Sequence, residues 1–321
     1  MMIVVAISGL LALTASILFW YWAYAPTPKV PSLSAKLSRE ALTVGAEKRT
    51  CWKYAPGALG KQKVPLVIVL HGSGINGVKI RAWTGYAFDQ LADQYGFAVA
   101  YPDGYQRSWN DIRKNVPFPA KQKNIDDAGF IRSLIESFQV SHNIALQQVY
   151  VFGYSNGGMM ALRLAASVPG LLAGIAIVGA NLPTPDNRTD DIQAPMPRVM
   201  MIHGTKDPII PYDGGRVRFF GKDLGNVLSA SATAEAIAET HAGPKTIQIE
   251  RLPHLDPHDP TSVERKTWSQ GEQKVVELYT VYGGGHVIPQ TTAKFPRLMG
   301  KVNRDFSAAR KAIAFWGLDQ R

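Results

Sequence analysis

Three side chains that could share one reaction stand far apart in the sequence, each beside glycine or proline. Ser155 sits in Gly153-Tyr154-Ser155-Asn156-Gly157, between an apolar run and an Ala/Leu/Met-rich stretch. Asp207 lies in "MMIHGTKDPIIPY" and His286 in "YTVYGGGHVIP", each just past a strand-like run. A serine hydroxyl attacks poorly until a base takes its proton, and the base works best when a carboxylate orients it. The G-x-S-x-G corner, followed in chain order by an acid and then a histidine, is the arrangement expected for acyl transfer on an α/β scaffold. Close approach of the chain at the corner leaves no room for Cβ atoms, hence the glycines. "VLHGSG" (Val69 to Gly74) follows an early strand-like run and fits a loop that lends a backbone N–H to an oxyanion. The oxyanion donors are assigned as the N–H groups of Ser73 and Asn156. Tyr154 is expected to line the substrate cleft; Trp109 and Asn110, which follow a strand end, either line it too or serve packing.

Such residues meet only if strand ends bring them together. Short continuous apolar runs, as in strands buried on both faces, occur at Val64–Gly72, Phe97–Gly104, Gln148–Ser155, Leu172–Ala180, Arg198–Gly204 and Lys274–Gly285. Helical spacing appears between them: after Asp126 and Asp127, which can cap a helix, in "SATAEAIAETHAG", and in "NRDFSAARKAIAFWGL" at the end. Strands alternating with helices predict an α/β fold with a doubly wound, mostly parallel sheet, whose reactive groups gather at the strands' carboxyl ends.

The assembled motifs "LHGSG", "YPDGYQRSWN", "DDAGFIRSLI", "VYVFGYSNGGMMALRLA", "IHGTKDPIIPY" and "GGGHVIP" resemble the polyhydroxybutyrate depolymerase-like and feruloyl esterase-like carbohydrate esterases, within the α/β-hydrolases. The resemblance runs from about Arg49 to Trp316. It implies a serine ester hydrolase that needs no cofactor and acts on short hydroxyalkanoate or aromatic, feruloyl-type esters. It places Ser155, Asp207 and His286 at the family's triad positions and Ser73 in its oxyanion loop. The family often has a cysteine where Ser73 stands and another near Gly243; this chain has one cysteine, Cys51, and can form no internal disulfide. Val287 to Gln290 replace the Trp and Pro-Gly that often follow the family's histidine. Two other readings stand beside this one: a serine peptidase of the same fold, and a membrane-tethered, non-catalytic scaffold.

The remaining clusters have plainer readings. His71 and His203 are expected to support loops, and Asp126 and Asp127 to cap a helix or be buried with partners. Asp213 is the substitute for Asp207. "PHLDPHDP" (Pro253 to Pro260) carries metal-ligand residue types but reads as a surface loop, with no metal site. Asn187-Arg188-Thr189 matches a glycosylation sequon. Cys51 reads as a small residue on a strand.

With 46% hydrophobic and 19% charged residues the chain can bury a core. The 35 Lys and Arg outnumber 25 Asp and Glu, giving a net charge of +10. No basic-aromatic groove or zinc knuckle accompanies them, so nucleic acid is not an expected partner. Ile3 to Ala25 is an uncharged, mostly apolar run, long enough for a bilayer core that needs about 20 residues. It divides the chain into a membrane anchor or signal segment (1–25), a Pro/Ser-rich linker (26–36) and an α/β-hydrolase domain (37–321). Lys29, Lys36 and Arg39 follow the run, which favours a cytoplasmic domain by charge. The resemblance favours an extracytoplasmic one, anchored or secreted, and that is the expectation. Nothing in the sequence sets the oligomeric state.

Overall fold

The computed structural model describes residues 18–57, 59, 62–114, 116–192, 195–219 and 221–320. A ten-stranded sheet runs in the order β1-β2-β4-β3-β5-β6-β7-β12-β11-β10. Its centre is parallel: β4 (Ala98–Pro102), β3 (Val64–Leu70), β5 (Ile144–Tyr154), β6 (Gly174–Val178), β7 (Arg198–Gly204) and β12 (Gln273–Tyr282). These are the apolar runs read from the sequence. Their side chains alternate between two cores. Leu66, Ile68 and Leu70 of β3 join Val149 and Val151 of β5 in one; Val67 and Val69 join Tyr150, Phe152 and Tyr154 in the other.

Helices cover both faces. On the face of Leu66 lie α3 (Asp127–His142), α4 (Asn156–Ser167) and α5 (Ala230–Glu239). On the other lie α1 (Gly77–Trp83), α2 (Ala87–Tyr95) and α6 (Ala308–Trp316). The Asp126 side chain caps α3 by accepting from Gly129 N–H, and Asp127 is buried.

The sequence reading did not anticipate the flanks. β1 (Ser38–Val44) and β2 (Glu47–Tyr54) pair antiparallel outside β4. At the other end β11 (Ser262–Gln270) and β10 (Thr246–Arg251) pair antiparallel outside β12. Every residue of β10 is exposed, so its "TIQIER" carries no buried-strand signal. A separate hairpin, β8 (Gly215–Phe219) and β9 (Lys222–Val227), leaves the sheet after β7.

Of the apolar run 3–25, residues 3–17 lie outside the described residues. Among the described residues no helix is long and apolar enough to cross a membrane. Residues 18–23 are helical, and Trp20, Tyr21 and Trp22 are half or more exposed. Cys51 is buried on β2, where burial pushes its thiol well up from its usual value.

Candidate active site

Ser155 occupies the corner between β5 and α4 with φ 55° and ψ −119°, backbone that non-glycine residues rarely adopt. Its N–H is tied to Val178 O at 2.8 Å. A Cβ on Gly153 would strike the Gly157 carbonyl, and one on Gly157 would strike the carbonyls of Leu70 and His71. The corner therefore demands glycine on both sides of the serine, and the bend projects Ser155 above the sheet.

Asp207 follows β7 and His286 follows β12, neighbouring strands at whose carboxyl ends both side chains turn inward. His286 Nδ1 lies 2.7 Å from Asp207 Oδ2, and His286 Nε2 lies 2.9 Å from Ser155 Oγ. A carboxylate cannot donate, so the ring proton sits on Nδ1 and the Nε2 lone pair faces the hydroxyl. Asp207 Oδ1 accepts from Ile209 N and Ile210 N at 2.8 and 2.9 Å. Burial alone would push this carboxyl up; interaction with His286 and His203 outweighs it and holds Asp207 well below the usual carboxylate range. His203 Nε2 is 3.5 Å from Asp207 Oδ2, but its hydrogen bond goes to Ile210 O at 2.9 Å. It supports the Asp207 loop. Asp213 is exposed. The His286 backbone is held from both sides, with its N–H on Met299 O at 2.7 Å and its carbonyl taking the Tyr154 hydroxyl at 2.8 Å.

Asn156 opens α4, so its N–H has no intrahelical acceptor. Among the described residues no protein group takes the N–H of Ser73 or of Asn156. Both residues line a cavity of about 60 Å³ together with Ser155 and His286. Its remaining wall is apolar: Trp83, Phe118 and Met159, Ile209 and Ile210 beside Asp207, Phe219 and Leu224 from the hairpin, and Met299. Arg113 is the charged exception.

Tyr154 lines the cavity, but Trp109 and Asn110 do not. Both are buried behind it. Trp109 Nε1 donates to His71 O at 2.8 Å, and Trp109 N–H donates to Asn156 Oδ1 at 2.8 Å. Asn110 Nδ2 donates to Ile125 O, and its N–H to Asp127 Oδ2, which Arg49 clamps from the other side at 2.7 Å through Oδ1. Their donor groups serve the loop, while Asn110 Oδ1 is buried with no partner among the described residues. His71 Nε2 accepts from Gly104 N–H at 2.8 Å, so Nδ1 carries the proton that reaches Gly72 O. The sequon does not present its asparagine: Asn187 is buried, with Nδ2 on Leu224 O and Asn226 O. The 253–260 loop is tied to its surroundings, with His254 on Asp305 and Asp259 accepting from the N–H groups of Thr261 and Arg304. Sequence reading missed Arg113 and the hairpin wall, because neither sits at the end of an apolar run.

Residues 58–234 match the phospholipase/carboxylesterase family. "Putative esterase NocK" of Nocardia uniformis subsp. tsuyamanensis is 30% identical over 91% of this chain and 86% of its own length. A poly(3-hydroxybutyrate) depolymerase of Ralstonia pickettii is 28% identical over 53% of this chain and 37% of its own. The fold matches an acetyl xylan esterase from Aspergillus awamori with a TM-score of 0.57 at 17% identity, covering 88% of this chain and 99% of that one. The matched stretch spans more than half of the chain and contains the serine corner, so the chain belongs to the phospholipase/carboxylesterase family of α/β-hydrolases and is a carboxylic ester hydrolase.

Proposed function

We propose that the protein hydrolyses carboxylic esters through an acyl-enzyme on Ser155. The observation that carries this reading is the continuous chain Ser155 Oγ–His286 Nε2–His286 Nδ1–Asp207 Oδ2, at 2.9 and 2.7 Å. Ser155 attacks the ester carbonyl as His286 takes its proton, and Asp207 orients the ring and stabilises the imidazolium. The N–H groups of Ser73 and Asn156 receive the oxyanion. The imidazolium then protonates the leaving alcohol, and water repeats the path to free the acid.

A cavity of about 60 Å³ has room for a few heavy atoms, far below the roughly 300–1,000 Å³ of pockets for drug-sized ligands. It favours a short acyl group over a feruloyl-sized one. The relative named poly(3-hydroxybutyrate) depolymerase carries a short hydroxyacyl unit in its name, in line with this. The test is labelling of the full chain with a fluorophosphonate probe beside Ser155→Ala, followed by a panel of acetyl, butyryl and feruloyl esters and peptides. Labelling lost in the variant, with short esters turned over best, is expected. Labelling retained in Ser155→Ala, or peptides preferred over esters, would overturn it.

The run from Ile3 to Ala25 is read as a membrane anchor on the strength of its length and lack of charge, and the resemblance to carbohydrate esterases puts the catalytic domain outside the cytoplasm. Carbonate extraction should leave the protein in the membrane fraction. A domain fully protected from protease in intact spheroplasts would sink the orientation.

A further inference from the structure

Arg113 is a cation in an apolar cavity that the hydrolytic steps do not use. Its residue is 2% exposed, yet it lines the space in front of Ser155. Burying a guanidinium is costly unless its hydrogen bonds are met. Arg113 Nε and Nη2 both pair with Asp111, at 3.1 Å to Oδ1 and 2.5 Å to Oδ2. These bonds use Nε and Nη2, Phe118 lies with its ring centroid 5.4 Å from the guanidinium carbon, and no hydrogen bond joins Nη1 to a described residue. The backbone around it is fixed: Arg113 bridges Arg188, Lys114 N–H reaches Asn187 O, and Thr189 N–H reaches Ile112 O. The side chain is thus held at the cavity with one donor edge unused.

The charges around it do not cancel. Asp111 faces Arg113 directly, and its own carbonyl accepts from Lys121 Nζ at 2.9 Å. Lys121 interacts electrostatically with Asp111, Arg163, Asp190 and Arg113, and its pKa is lowered, first by burial. Arg163 pairs with Asp190 at 3.4 Å. Arg113, Lys121 and Arg163 therefore stand against Asp111 and Asp190, one positive charge in excess. Of these five only Arg113 lines the cavity.

We infer that Arg113 forms a subsite for an acyl group that ends in a carboxylate, so that the preferred substrates are half-esters of short dicarboxylic acids. The inference rests on the esterase reading and deepens it. A carboxylate two or three carbons beyond the reacting carbonyl fits a cavity of this size, takes the free Nη1 edge and balances the excess charge. Ser155 attacks the ester carbonyl as for any ester, and the distal carboxylate takes no part in bond making.

The test compares kcat/KM for monomethyl malonate and monomethyl succinate with their uncharged isosteres, methyl isovalerate and methyl 4-methylpentanoate, by acid release at constant pH, on the full chain. Methyl 3-hydroxybutyrate is the neutral polar control. The half-esters are expected to lead their isosteres by about 10- to 100-fold, the range set by a charge-assisted hydrogen bond to a buried group. Arg113→Met would orphan Asp111, so Asp111→Asn/Arg113→Met is made beside it. Both should erase the preference, and Arg113→Lys should restore part of it. A wild type that prefers the isosteres or the hydroxy ester, or a half-ester preference that survives Arg113→Met, would overturn the inference. p-Nitrophenyl acetate is run throughout: if the wild type leaves even this ester intact, the esterase reading itself fails, whereas turnover of the acetate without half-ester preference defeats the Arg113 subsite alone.

Discussion

The side chain of Asn156 closes on the backbone of Trp109 from both ends, accepting its N–H at 2.8 Å and donating to its carbonyl at 3.2 Å. The Trp109 indole then holds His71 O, two residues before Ser73. One buried tryptophan thus ties together the two loops whose N–H groups are proposed to meet the oxyanion. Trp109→Phe keeps the ring packing and removes the indole donor. Since losing a whole oxyanion donor costs roughly 10²–10³ in rate, loosening one should lower kcat by about 10-fold or more, with KM little changed. Steady-state kinetics and a thermal melt separate this from unfolding; a rise in KM at constant kcat would contradict it.

Asp207→Asn should be folded and nearly inactive. The amide oxygen can still accept from Ile209 N and Ile210 N. Its NH₂ would face His286 Nδ1 and force the ring proton onto Nε2, where it blocks proton transfer from Ser155. A fall in kcat of about 10⁴ is expected, as for the same exchange in serine proteases. Unchanged fluorophosphonate labelling would refute the assigned tautomer.

Burial lowers the His71 pKa to about 4 from an unfolded value near 6.5. Between those values the unfolded chain binds the proton and the native one does not. Stability is therefore full above about pH 6.5 and is lost as pH falls towards 4, by roughly 3 kcal/mol at most. Asp207, with its pKa also lowered, adds a loss in the same direction below about pH 4. Denaturant midpoints measured from pH 7.5 to 4 should slide downward in the wild type and more weakly in His71→Gln. A flat wild-type profile would count against the buried neutral imidazole.

The serine corner was legible because its constraint is local. A buried strand with glycine next to its end, a serine at the corner and a helix with two glycines in its first turn form a sequence pattern with one geometric meaning. Asp207 and His286 could be expected beside Ser155 because each follows a buried parallel strand, whose apolar run is unmistakable. Trp109 was misplaced for a different reason. An aromatic residue after a strand end fits a cleft wall and a buried brace equally well, and only the distance from its indole to His71 O decides. β10 was invisible because pairing with β11 holds it in place without burying its side chains. Arg113 escaped notice because its ion pair lies two residues away, in a loop without periodicity.

The backbone of Ser155, at φ 55° and ψ −119°, sits where a side chain is disfavoured by about 1–3 kcal/mol. The most robust form of this protein is therefore an inert one. Ser155→Gly should relax the corner, melt at a higher temperature than the wild type and hydrolyse nothing. A screen that selected only for thermal endurance would converge on glycine at position 155 and so on loss of the hydroxyl proposed to attack the ester.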